Sequence, residues 1–397
     1  MESGEGGEIL PCRPSPCPPA VPSLPADRLS FTLSGGVMPT PPPLQTPLHM
    51  NSSDPDLHGG FQLRPFRQAS WLRGPHLQTV LGKFIRPHFD PGLIRERWET
   101  EDGDFIDLDF GPDPSPQAPL VMILHGLEGS THRAYVRMAM AELLSRGIRP
   151  VGMNFRSCSG EPNRRPRFYH SGETADVAWV LAGLRKRFPH RRLGALGFSL
   201  GGNVLLKHLG EVGDAERNPL QAAVAISVPF DLVAGTRALE SGRMGRLYTG
   251  YFLRSLRAKT QAKRSLLEGV VDLDRVLAAR TLREFDDAAT APLHGFPDAW
   301  TYYRESSAAG FLSRIRTPTL LLQSTDDPFL PGDALPWRAV ESSPWLVDGI
   351  QSRGGHVGFV ERAKGMKPAF WAEQEAARYL AGILEIPGTS SRAAGIT

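Results

Sequence analysis

The sequence predicts an α/β fold: a mostly parallel sheet flanked by helices, with a helical cap insertion. Three observations predict it. Short, continuous apolar runs such as Leu120-Val-Met-Ile-Leu124 alternate with helical stretches, as strands do when crossover helices bury both their faces. Reactive side chains follow several of those runs directly, at the carboxyl ends where parallel sheets bind ligands. One interval, about 229–316, breaks the rhythm with mostly helical sequence rich in aromatics.

Residues 1–60 are rich in Pro, Gly and Ser and lack apolar periodicity, so they are expected to be a disordered tail. The tail is either a tether or an over-long start, with Met38 or Met50 as the alternative initiator. A single domain is expected over 61–390. Residues 70–81 read as a short helical lead-in. Residues 95–100 and 104–110 alternate apolar and polar side chains around Asp102-Gly103, the pattern of a hairpin. Strands are then expected at 120–124, 150–155, 193–198, 222–227 and 319–323. Helices are expected at about 133–146, about 171–187 and from 201. The first of these carries Val136, Met140 and Leu143 or Leu144 on one face.

The 397 residues are 41% hydrophobic and 22% charged, an ordinary globular balance. A net charge of +3 argues against a nucleic-acid binder and against an acidic partner. The basic stretch 163–167 reads as a solvated loop. Three cysteines are too few for a disulfide scaffold. Cys12 and Cys17 lack the second ligand pair that a metal site needs. Cys158 stands alone and suits a reducing compartment. No stretch approaches a membrane span, and no cleavable leader precedes the domain. The expectation is a cytoplasmic protein with a small-molecule substrate and no stable membrane anchor. H-E-x-x-H, P-loop and dinucleotide glycine patterns are absent from the sequence, so no metal or organic cofactor is expected.

Four places carry candidate chemistry. Gly197-Phe-Ser199-Leu-Gly201 is G-x-S-x-G between an expected strand and an expected helix, the context of a nucleophile elbow. The glycines leave room for a tight turn. The hydroxyl then sits beside a helix N-terminus, whose dipole favours developing negative charge. The plainer alternative is a capping serine in a Gly-rich turn. Asp326 and Asp327 follow the 319–323 strand, where an acid can orient a histidine. Asp327, just before Pro328, is preferred and Asp326 is the runner-up; the other starts an Asx turn. His356 lies among small residues that let a loop carry an imidazole over the serine. The order Ser199, Asp327, His356 is that of the α/β-hydrolase fold. Finally, the 125–130 loop follows an early strand. The N–H groups of Leu127 and Leu200 are expected to hold an oxyanion. The His125 side chain is expected to be structural, and Glu128 to cap the next helix.

The stretches WLRGPHLQT, HGLEGS, NFRSCSGEPNR, YHSGETADV, GFSLGGNVLLK, DDPFLP and GGHVGF together resemble the YheT-like branch of α/β-hydrolases. That branch also holds animal membrane-linked hydrolase-domain proteins and yeast medium-chain ester synthases and esterases. The resemblance runs from about residue 65 to about 384. It implies that Ser199, Asp327 and His356 form a charge-relay triad, and that the activity is hydrolysis or transfer of acyl groups on esters. The Pro-rich tail has no counterpart in the family. The membrane anchor of the animal members has none here, so their membrane-bound roles are not implied.

Cys158 and His170 follow a strand end and are expected to line the pocket. Cys158 reads as a buried small hydrophobe without a partner base, and Ser171 as a helix cap. The expected function is that of a serine carboxylester hydrolase acting on short- to medium-chain acyl esters through an acyl-enzyme. The cap aromatics Tyr248, Tyr251, Phe252, Phe285, Trp300, Tyr302 and Tyr303 suggest an apolar acyl group. Two alternatives are an alcohol O-acyltransferase with the same triad and a non-catalytic binding protein on a hydrolase scaffold. A dehalogenase would carry aspartate in place of Ser199.

Overall fold

A computed structural model of the chain describes residues 57–213, 218–362 and 367–384. The Cys12 and Cys17 pair, and residues 1–56 of the expected tail, lie outside the described residues. Helix α1 (Pro75–Phe84) precedes a hairpin of β1 (Ile94–Glu99) and β2 (Phe105–Phe110). The chain then alternates β3 (Leu120–Leu124), α2 (Ala134–Leu144), β4 (Arg149–Met153), α3 (Thr174–Arg187), β5 (Leu193–Phe198) and α4 (Leu200–Val212). Strands β6 (Leu220–Ile226), β7 (Thr319–Ser324) and β8 (Leu346–Gln351) complete the sheet. Their order is β1-β2-β4-β3-β5-β6-β7-β8, parallel from β4 onward and antiparallel at the hairpin edge.

The continuous apolar runs are explained by cover on both faces. On one face Val177, Val180 and Leu184 of α3 join Val204, Leu205 and Leu209 of α4 over the sheet. On the other, Val136, Met140 and Leu143 of α2 join Trp371, Ala376 and Leu380 of the helix Trp371–Ile383. Each fully buried leucine contributes roughly 1.5–3 kcal/mol against exposure.

Strand β2 departs from its alternating pattern, since all six residues of FIDLDF are buried. Asp107 and Asp109 are inside because arginines lie directly across the hairpin, in register. Arg97 Nε donates to Asp107 at 2.8 Å and Arg95 Nε to Asp109 at 2.7 Å. The polar positions are therefore inner ion pairs and not a solvated face. The lead-in helix lies later than expected, because Pro75 starts it after Gly74 at φ 94°. Strand β8 and the helix Trp371–Ile383 had no clear sequence signal. β8 carries Asp348 and Gly349 on a sheet edge, which dilutes its apolar pattern.

Between β6 and β7 the chain is helical. It contains α5 (Leu232–Glu240), α6 (Gly242–Ala262), several short helices and the helix Ala299–Ser306. Leu239, Tyr248, Leu253, Val276 and Phe285 form a core of their own there.

Candidate active site

The turn from β5 to α4 holds Ser199 at φ 52° and ψ −120°, a conformation a non-glycine residue adopts only under constraint. The neighbours impose it. A Cβ on Gly197 would sit 2.6 Å from the Gly201 oxygen, and one on Gly201 would sit 2.5 Å from the Leu124 oxygen. Both positions admit only glycine, which accounts for the spacing of the motif. The Ser199 N–H donates to the Ile226 oxygen at 2.8 Å, anchoring the turn to β6.

His356 arrives from a loop after β8, where Val357 and Phe359 also have positive φ. Its Nε2 lies 2.9 Å from Ser199 Oγ, and its Nδ1 lies 2.8 Å from Asp327 Oδ2. A carboxylate only accepts, so Nδ1 carries the proton and the Nε2 lone pair faces the hydroxyl. Asp327 is held in turn by Gln323 Nε2 at 3.2 Å and by the Phe329 N–H at 2.8 Å. Asp326 points elsewhere and accepts the Gly355 N–H at 2.9 Å. The pair thus divides: Asp327 meets the ring and Asp326 the backbone beside it. The Phe329 ring stacks on the imidazole with centroids 4.1 Å apart.

The histidine loop has further supports that sequence reasoning missed. The His356 N–H donates to Thr79 Oγ1 at 2.9 Å, and the Val357 N–H to Ser227 Oγ at 2.8 Å. Thr79 lies on α1, inside the WLRGPHLQT stretch, where the sequence alone assigns it no role at the site. Ser227 follows β6 directly, at φ 52°. Both are far from His356 in sequence, and neither belongs to a local motif.

Around Leu127 the backbone donors are sorted. The Gly126 N–H goes to Tyr135 Oη at 2.9 Å and the Glu128 N–H to Tyr169 Oη at 2.7 Å. Among the described residues nothing accepts the Leu127 N–H. Leu200 is the first residue of α4, so its N–H has no partner inside the helix. Leu127, Ser199, Leu200 and His356 line one cavity. His125 is buried, with Nδ1 donating to the Gly126 oxygen at 2.8 Å and Nε2 accepting the Phe155 N–H at 3.2 Å. Burial holds its pKa down at about 3, so it is a neutral structural group.

Three expectations are corrected. Glu128 caps no helix; it accepts from Lys259 Nζ at 2.8 Å and from the Ser255 hydroxyl, both on α6. Ser171 is not the cap of α3, whose N-cap is Glu173; its N–H donates to Tyr302 Oη at 2.8 Å. Cys158 is buried as expected but has a cationic neighbour, Lys259 Nζ, 3.0 Å from its sulfur. Burial nonetheless pushes the thiol up to about 11. His170 lines the cavity as expected, whereas Cys158 does not and instead contacts Lys259, which does.

His170, Glu173 and His294 approach within 4.8 Å and form the one such metal-type cluster among the described residues. The carboxylate already takes the Arg167 guanidinium at 2.6 Å. Burial holds His170 well below its ordinary pKa and His294 down at about 4. The group is a packed, charge-balanced contact between the body and the helical insertion.

The cavity measures about 120 Å³. Phe252, Leu256, Leu282, Phe285, Tyr302 and Tyr303 of the insertion wall it, while Tyr251 faces outward and Tyr248 belongs to the core of the insertion. The arrangement places a serine hydroxyl and a proton acceptor in an apolar chamber that Leu127 and Leu200 also line.

A family model for the alpha/beta hydrolase fold matches residues 119–343. YheT of Escherichia coli, named as a proposed esterase, is 39% identical over 78% of this chain and 91% of its own. The monoacylglycerol lipase of Saccharomyces cerevisiae is 33% identical over 66% of this chain and 59% of its own. The human phospholipase ABHD3 is 31% identical over 72% of this chain and 71% of its own.

Proposed function

We propose that this chain, an ester hydrolase belonging to the YheT-like branch of the α/β-hydrolase family, cleaves short- to medium-chain acyl esters through an acyl-enzyme on Ser199. The observation that carries the reading is the His356 imidazole, 2.9 Å from Ser199 Oγ and 2.8 Å from Asp327. His356 takes the hydroxyl proton as Ser199 attacks the ester carbonyl. Asp327 keeps the proton on Nδ1 and stabilises the imidazolium that forms. The N–H groups of Leu127 and Leu200 hold the oxyanion at the helix N-terminus. His356 then protonates the departing alcohol, and water activated by the same imidazole releases the acid.

The chamber supports the acyl range proposed. Its volume, about 120 Å³, is close to the ~150 Å³ apolar cavity that accepts a benzene ring, a scale that suits a short to medium acyl group. A non-catalytic scaffold would have no use for a strained serine facing an oriented imidazole. Labelling with a fluorophosphonate probe tests the reading on wild type and Ser199→Ala side by side. Labelling of wild type alone is expected, followed by an ester series with its optimum in the short to medium range. A folded wild type that takes no label would overturn the reading. Added ethanol, with product analysis, separates hydrolysis from acyl transfer.

A further inference from the structure

Helix α1 is built inside out. Its polar Gln78 is wholly buried and bonded into the histidine loop, accepting the Val360 N–H at 2.8 Å. Its apolar Leu77, Leu81 and Phe84, spaced i, i+4 and i+7, face outward instead, and Phe84 is 72% exposed. An isolated exposed leucine is ordinary, but an apolar stripe on the outer side of a helix asks for a partner. The stripe continues onto α6. Lys83 Nζ donates to Tyr251 Oη at 2.9 Å and His76 Nδ1 lies 3.0 Å from Tyr248 Oη, so the two helices adjoin. Leu247 and Tyr251 are exposed on α6 beside them.

The charge carried by these two helices has one sign. Neither α1 nor α6 contains an acidic residue. Arg73, Lys83, Arg243, Arg246 and Arg254 are exposed, and among the described residues none has a carboxylate partner. Their neighbours Arg257 and Lys259, by contrast, are turned inward to Ala279 and Glu128. The opposite side of α6 supplies Phe252, Leu256 and Lys259 to the substrate chamber. Apolar side chains ringed by unopposed cations match a surface with acyl chains below and negative headgroups above. Among the described residues no helix is long and apolar enough to cross a membrane, so such contact would be peripheral.

We infer that the outer faces of α1 and α6 form a docking surface for an anionic phospholipid bilayer, which sets the chamber against the lipid–water interface. For its consequence, that the esters cleaved are presented at that interface, the inference rests on the ester-hydrolase reading; the docking does not.

The test is sedimentation of the full-length chain with vesicles of phosphatidylcholine plus phosphatidylserine, against phosphatidylcholine alone. Wild type is expected to bind the anionic vesicles, less so as salt rises. Leu81→Asp with Phe84→Asp is expected to lose binding at least tenfold. Arg243→Gln with Arg246→Gln is expected to weaken it about fivefold for each cation removed. Both double variants keep fluorophosphonate labelling and hydrolysis of a water-soluble butyrate ester at the wild-type level, which shows that they are folded. Wild type that ignores anionic vesicles overturns the inference. So does binding that survives in both variants, or a wild-type dimer that Leu81→Asp with Phe84→Asp converts to monomer. Failure to label with the probe would count against the ester-hydrolase reading alone and leave the docking result to stand by itself.

Discussion

Asp326 and Asp327 are adjacent in the chain, yet Asp327 grips the His356 ring at 2.8 Å while Asp326 grips the Gly355 N–H at 2.9 Å. In the proposed mechanism Asp327 sets the tautomer, while Asp326 braces the loop. Substitution by asparagine separates these roles. Asp327→Asn is expected to lower kcat about 10⁴-fold, because an amide no longer enforces the proton on Nδ1. Asp326→Asn keeps an acceptor oxygen for Gly355 and is expected to stay within a fewfold of wild type, whereas Asp326→Ala loses more. Steady-state hydrolysis of a butyrate ester decides; equal losses for both asparagine variants would refute the division.

The glycines of the elbow admit no side chain. Gly201→Ala drives a methyl to within 2.5 Å of the Leu124 oxygen in β3. Backbone cannot yield as a flexible side chain can, so the cost is expected to reach or exceed the ~1–3 kcal/mol of ordinary overpacking. Thermal unfolding should show a lowered Tm together with lost probe labelling. An unchanged Tm would mean that the turn yields to a methyl group.

Arg156 is the hub of a buried acidic cluster. It meets Asp176 through two bonds of 2.8 Å and Asp104 through one of 3.0 Å. Arg156→Met leaves two buried carboxylates without their cation, and the expected loss is about 3–5 kcal/mol. Urea unfolding measures it directly. A loss below about 1 kcal/mol, the scale of an exposed pair, would contradict the burial argument.

The nucleophile assignment can be checked against its nearest rival. Burial pushes the Cys158 thiol up to about 11 despite Lys259 beside it, so at neutral pH it stays protonated and inert. Cys158→Ala is expected to keep probe labelling and most hydrolysis, while native wild type resists iodoacetamide. Loss of labelling in Cys158→Ala with an intact fold would point away from Ser199.

Acid stability carries a signature of one buried histidine. Burial holds His208 down at about 4 against an ordinary 6.5, and its Nε2 has no partner among the described residues. Between those values the unfolded chain binds the proton and the folded one does not. Stability from this site is therefore complete above 6.5 and is lost as pH falls toward 4. The slope is ~1.4 kcal/mol per pH unit at most. His208→Leu should flatten the stability profile in that window. Asp286 has the opposite sign, since burial raises it from 3.8 to about 6, so its contribution is lost as pH rises through 6. Asp286→Asn should steepen the profile. Urea midpoints across this range check both slopes.

The sequence by itself determined what local sterics and periodicity encode. Strand β5 begins and ends at the expected residues, because a continuous apolar run bounded by a Gly-Phe-Ser-Leu-Gly turn has few other ways to fold. The serine, the late acid pair and the glycine-flanked histidine were legible for the same reason, each lying just past a strand or in a small-residue loop. Only the tertiary structure shows which of Asp326 and Asp327 meets the His356 ring, since they share one loop and differ in direction. It also decided that Glu128 faces Lys259, 131 residues away, and that Thr79 holds the His356 backbone from 277 residues away. The first pairing arises where the helical insertion closes on the body, the second where α1 packs against the histidine loop. The chain's local pattern records which face of a helix is apolar; it does not record which distant element that face, or its polar opposite, will meet.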